Sequence, residues 1–187
     1  MFKRGFKAWC ERYAEEKRNE FGIKPHEPLD PKVLASKLGI LVWGPENIPG
    51  LSQDSISILL KNDGVSVSDW SAVTIEIQTQ KLVILNTSHS TGRQSSDLMH
   101  ELAHIILEHK CHSADSSLDG ILLLSAYDKD LEDEADWLSA CLLLPRAALV
   151  SIKRQNIELA DAAELFKVSV RMLRYRMSMT GVSRQFN

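Results

Sequence analysis

A disulfide framework is the first thing missing from this chain. Its three cysteines, Cys10, Cys111 and Cys141, are odd in number and show no Cys-x-x-Cys spacing. That usage fits reduced thiols in a reducing compartment. Long apolar runs are missing too: the longest, Ala140 to Pro145, falls far short of the roughly 20 residues that cross a bilayer. The stretch from Met1 to Phe21 is dense in Lys, Arg and Glu and has no apolar core, so it does not read as a signal peptide. A basic excess is absent as well. The net charge of -3 and pI near 6.1 exclude a generally basic nucleic-acid binder. There are no internal repeats and no low-complexity linker. These absences predict a soluble cytoplasmic protein with no membrane partner.

What is present suits a globular fold. With 44% hydrophobic and 25% charged residues over 187 positions, the chain can bury one core, as a single domain or a domain with a small appendage. Phe2, Phe6, Trp9, Cys10 and Tyr13 recur on one helical stripe, giving an N-terminal amphipathic helix within residues 1–25. After a proline-rich break, Asp30-Pro31 opens a second helix by side-chain capping and a pre-set φ, and Gly39 closes it. Ile40 to Trp43, Ile56 to Leu60, Ala72 to Ile77 and Lys81 to Asn86 read as short strands, with a tight turn at Asn62-Asp63-Gly64. Beyond a Ser/Thr/Gly loop, Thr87 to Gly92, a helix is expected from Ser95 to about His109. Residues from Ser116 to Asp130 read as looser, with a Leu-rich patch at Ile121 to Leu124. Another helix runs from Leu131 to Leu144 and is stopped by Pro145. The expected class is α+β: a short mixed or antiparallel sheet packed with helices over residues 26–150, and a helical tail over 151–187.

The chemistry concentrates at His100-Glu101-Leu102-Ala103-His104. On a helix, i and i+4 differ by about 40° and one turn, so both imidazoles project from one face and can share one Zn²⁺. Glu101 sits about 100° around, poorly placed to ligate beside them. It is well placed to take a proton from water in the metal's open position and pass it to a leaving amine. The helix is apolar nearly all round (Leu98, Met99, Leu102, Ala103, Ile105 to Leu107). The two histidines are therefore drawn inward, where polar groups need partners. His109 and His112 are expected to be surface histidines, since His109 falls on a different face from His104.

A catalytic zinc takes three protein ligands and keeps one exchangeable position. The helix Leu131 to Leu144 offers four acids, Glu132, Asp133, Glu134 and Asp136. Glu132 and Asp136 share a face, which allows one to ligate and the other to accept a hydrogen bond from a ligand histidine. Glu134 differs from Glu132 by about 200° and cannot face the same point; with Glu132 as ligand it points to solvent or to a structural partner. The same acids also complement the helix dipole at its N-terminus. Cys141 reads as a small core residue.

Together, His100-Glu101-x-x-His104 and Glu132-x-Glu134-Ala135-Asp136-x-x-x-Ala140-x-Leu142-Leu143-x-Pro145 resemble the ImmA/IrrE family of metallo-endopeptidases. Asp30-Pro31-x-x-Leu34-Ala35-x-x-Leu38-Gly39-Ile40, Ile84-Leu85-Asn86 and Arg93-Gln94 extend the resemblance over roughly residues 28 to 150. It implies a compact zincin-like fold with zinc on two His and one Glu, Glu132 as that ligand, and Asp136 supporting the site. It also implies a helix-turn-helix repressor as substrate, cleaved to release genes of mobile elements or stress responses. The chain departs from the family at Leu138-Ser139, where relatives often carry Phe, and lacks the N-terminal helix-turn-helix of some relatives.

The tail is basic, with seven Lys/Arg against three acids from Ser151 to Asn187; this reads as a solvated face or a partner contact. Ala162 to Arg174 resembles a short helix-turn-helix in which Ser169 caps the second helix and Arg171, Arg174 and Arg176 are exposed. Packing or protein contact is the expected role, with DNA binding the minority reading on an acidic chain. No oxyanion donor stands out; Tyr127, His112 and Arg93 are candidates. Besides a narrow-specificity zinc endopeptidase, two readings remain. One is a non-catalytic regulator on a zinc scaffold, which has no need of Glu101. The other is a structural zinc domain, for which no cysteine supplies a fourth ligand.

Overall fold

The computed structural model describes residues 2–61, 68–77, 80–109 and 128–186. The Asn62-Asp63-Gly64 turn, Cys111, His112, the patch at Ile121 to Leu124 and Tyr127 lie outside the described residues.

The chain is α+β, and its three-stranded sheet is mixed. Strand β3 (Gln80–Leu85) is central, parallel to β1 (Leu41–Trp43) and antiparallel to β2 (Ala72–Ile77). Helix α1 (Phe6–Glu20) packs against α5 (Lys129–Leu143). Helix α2 (Pro31–Lys37) starts as its sequence requires, with Asp30 accepting from the Lys32 N–H at 2.8 Å and Pro31 in the first turn. Helix α4 (Thr91–Ile106) carries the two motif histidines between the sheet and α5. Its apolar face (Leu98, Met99, Leu102, Ala103) meets that of α5 (Ala135, Leu138, Leu142) in one core, which also takes in Cys10 and Ala14 of α1.

Two elements differ from the sequence expectation. Ile56 to Leu60 is not a strand but the end of helix α3 (Gln53–Leu60), capped by Ser52, whose hydroxyl accepts from the Ser55 N–H at 3.1 Å. A short apolar run is compatible with either period, and the cap decides it. Helix α4 starts at Thr91 rather than Ser95, with Ser90 as its cap. The Ser/Thr/Gly composition there disguises its first turn. Gly92 lies where the tail crosses: a β-carbon there would stand 3.7 Å from the Lys167 and Val168 backbone.

The tail forms α6 (Arg146–Arg154), α7 (Leu159–Leu165), α8 (Val170–Met179) and α9 (Val182–Gln185). Ser169 caps α8 as expected, accepting from the Met172 N–H at 3.1 Å. Arg176 overturns its expected exposure. Its side chain is 1% exposed, and it donates to the Leu144 carbonyl at 2.9 and 3.1 Å and to Glu11 at 2.7 Å. Arg18 does the same for the Leu142 carbonyl at 2.7 Å. The last carbonyls of a helix have no partner within it and carry the negative end of its dipole. Two buried guanidiniums therefore terminate α5 and fasten α1 and α8 to it.

Cys10 and Cys141 are buried free thiols. Their mutual hydrogen bond and burial push the Cys141 pKa up, so this thiol is inert. Among the described residues no single helix is long and apolar enough to cross a membrane.

Replacing Arg176 by Ala strands the Leu144 carbonyl and takes the buried cation from Glu11, which keeps the Arg146 N–H at 3.0 Å, and should cost about 3 kcal/mol. Arg171→Ala, at an exposed position of the same helix, should stay within about 0.5 kcal/mol. Urea denaturation of the two variants checks this; equal, small effects would contradict the capping role.

Candidate metal centre

Helices α4 and α5 bring three candidate ligands to one point. One ligand atom from each of His100, His104 and Glu132 lies within 4.8 Å of the others. The His100 and His104 Nε2 atoms are 3.0 Å apart. Glu132 Oε2 lies 3.2 Å from the first and its Oε1 3.5 Å from the second. Zinc held at 2.0–2.1 Å by tetrahedral N and O ligands sets those ligands about 3.3 Å apart. The separations bracket that edge length, so the donor set fits the metal in chemistry and spacing.

The hydrogen bonds around the site select the same atoms. His100 Nδ1 is 2.9 Å from Asp136 Oδ1. A proton on Nδ1 satisfies that contact and leaves the Nε2 lone pair for a cation. Asp136 is one turn beyond Glu132 on α5, so a single helix face supplies both carboxylates. Burial disfavours the His100 imidazolium, but the Asp136 hydrogen bond, with Asp136, Glu101 and Glu132 as nearby negative charges, more than offsets it and raises the pKa. His104 goes the other way. Burial and the neighbouring His100 charge pull it down to about 4. Neutral His104 is the ligand form.

Glu101 stands beside the triad without joining it. The Thr74 hydroxyl of β2 donates to Glu101 Oε2. Burial pushes the Glu101 carboxyl pKa up, against the lowering effects of that hydrogen bond and of His100. Along β2, Ala72 and Thr74 are half-buried, while Val73 and Ile75 are exposed. Strand alternation therefore turns Thr74 toward α4. The histidines themselves are 25% and 19% exposed, less buried than the apolar helix suggested. They line a rim that solvent can reach.

His109 is a correction. Its side chain is 7% exposed, with Nδ1 3.0 Å from His104 Nδ1 and Nε2 3.4 Å from Glu134 Oε2. Helical period places it on another face, but α4 has ended before it. Glu108 adopts φ 55°, its N–H bonds the Ile105 carbonyl at 3.2 Å, and the His109 N–H bonds the His104 carbonyl at 3.0 Å. This is a Schellman motif, which folds the second residue past the cap back over the third-from-last helical residue. His109 thus comes to rest on His104, and Glu134 finds a side-chain partner instead of solvent. Of the oxyanion candidates, Arg93 is occupied by Ser71 at 3.1 Å and Asp97 at 3.6 Å. It lies two turns before His100, roughly 10 Å along the axis.

Comparison with known proteins bears on the fold and on the family. A solved Mycobacterium tuberculosis transcriptional regulator superposes with a TM-score of 0.54 at 15% identity, over 95% of this chain and 47% of that one. This is a likeness of fold, and the chain spans about half that structure's length. None of the curated proteins gives a significant match. Residues 56–178 match a peptidase family described as the IrrE N-terminal-like domain, a span that includes α4, α5 and most of the tail. The chain belongs to that family.

Proposed function

We propose that the chain is a zinc-dependent endopeptidase of narrow specificity with a zincin-like site. In this reading His100, His104 and Glu132 hold the metal and Glu101 is the general base and acid. The observation that carries it is that Glu101 sits next to three convergent ligands yet is held apart from them by Thr74. A purely structural or scaffolding zinc has no use for such a carboxylate, which argues against the non-catalytic regulator.

When bound, zinc supplies a Lewis acid that lowers the pKa of water and polarises the scissile carbonyl. Glu101 takes the proton from the attacking water and returns it to the leaving amine. Its raised pKa moves it toward neutral pH, where a proton carrier works best. Thr74 fixes Oε2 and leaves Oε1 for the transfer. Asp136 keeps the His100 proton on Nδ1, so Nε2 faces the metal. Among the described residues the outer edge of β2 has no strand partner, and an extended substrate segment can pair there beside Glu101.

The substrate we favour is a repressor-like helix-turn-helix protein, met in the cytoplasm. The family resemblance supports it, as does the structural relative's description as a transcriptional regulator. The burial of Arg176 takes one of three basic residues out of any DNA contact, which favours packing or protein contact for the tail.

Purified protein should carry about one zinc per chain and lose it to strong chelators. Glu132→Ala should empty the site, and Asp136→Ala should weaken it roughly ten- to a hundredfold. Metal analysis and chelator competition read this out; an Asp136→Ala protein weaker than Glu132→Ala would reverse the two roles.

Glu101→Gln should keep zinc and fold but abolish cleavage. The assay is co-expression with helix-turn-helix proteins encoded beside the chain, with products identified by mass spectrometry. Cleavage by wild type that persists in Glu101→Gln would remove Glu101 from the chemistry.

A further inference from the structure

His104 and His100 present the same problem to a metal: each must keep its proton on Nδ1 and hold its ring still. Asp136 answers it for His100. For His104 the contact comes from outside helical periodicity. The Schellman turn at Leu107-Glu108 sets His109 Nδ1 3.0 Å from His104 Nδ1, and His109 Nε2 3.4 Å from Glu134 Oε2. The pairing that such a turn makes between apolar side chains is made here by two imidazoles. Only one proton order satisfies every atom when His104 Nε2 faces a cation. His104 Nδ1–H donates to His109 Nδ1, and the His109 proton then sits on Nε2 and is donated to Glu134. Both outer groups are sheltered, with side chains 7% and 19% exposed, so water competes poorly for these contacts.

We propose that His109 and Glu134 form a relay that positions His104 as a metal ligand, independent of the Asp136 contact that positions His100. The proposal rests on the zinc reading above. His109 and Glu134 are positioning residues: neither touches the metal, and each acts through the next ring inward. Two faces of α5 thus serve two histidines: Glu132 and Asp136 lie on one, and Glu134, about 200° from Glu132, reaches the chain as it leaves α4. The second residue past a helix cap supports the metal site through His104.

The test is zinc affinity by chelator competition on the full chain, in a set of variants. His109→Ala should weaken zinc about ten- to a hundredfold. His109→Asn places an amide oxygen where Nδ1 stood and should restore affinity to within about threefold, which mere packing of an imidazole would not explain. Glu134→Ala should weaken zinc in wild type but add nothing in His109→Ala, because its path runs through that ring. Asp136→Ala should add its full loss to His109→Ala, because the two act on different ligands. Wild-type affinity in His109→Ala, or full additivity of Glu134→Ala with it, overturns the relay and leaves the zinc reading standing. A wild-type chain that binds no zinc while remaining folded overturns both.

Discussion

The contact between α4 and α5 is the constraint on which the rest depends. Two imidazole nitrogens lie 3.0 Å apart with a carboxylate closing the third side, an arrangement that a cation stabilises and that bare lone pairs oppose. Such a site holds only if the two helices cannot drift. Their packed leucines and alanines fix the separation, and interiors packed this closely resist small shifts. The buried guanidiniums of Arg18 and Arg176 end α5 and join it to α1 and α8. The tail therefore contributes to the site from a distance, by holding the helix that carries Glu132, Glu134 and Asp136.

The sheet contributes differently. Its strands are short, and β2 supplies Thr74 to one oxygen of Glu101. The proposed ligands and the proposed base, though adjacent along α4, are held by different parts of the fold: His100 and His104 by α5 and the turn after α4, Glu101 by β2. In the proposed reading, this division lets one helical segment bind a metal on one face and present a proton carrier on the next.

Much of this was legible from local spacing. His100 and His104, and Glu132 and Asp136, are i and i+4 pairs whose convergence needs only that each segment be helical. The Asp30-Pro31 start and the Ser169 cap are equally local. What escaped depends on geometry that periodicity does not carry. Ile56 to Leu60 satisfies either period until Ser52 caps it. A helical wheel continued past the end of the helix puts His109 on the surface, whereas the left-handed conformation of Glu108 turns it back onto His104. Arg176 falls in a basic tail yet is buried, since its partner is a carbonyl 32 residues away in sequence. Thr74 gives no sequence signal beyond being a polar residue on the inward side of a strand.

The central claim is an open zinc site of two histidines and one glutamate, and X-ray absorption at the zinc edge of the purified protein tests it most directly. The account predicts two imidazole nitrogens at about 2.0–2.1 Å, the remaining scatterers being oxygen, and no sulfur. A sulfur shell near about 2.3 Å, or a first shell with a single imidazole, would contradict it.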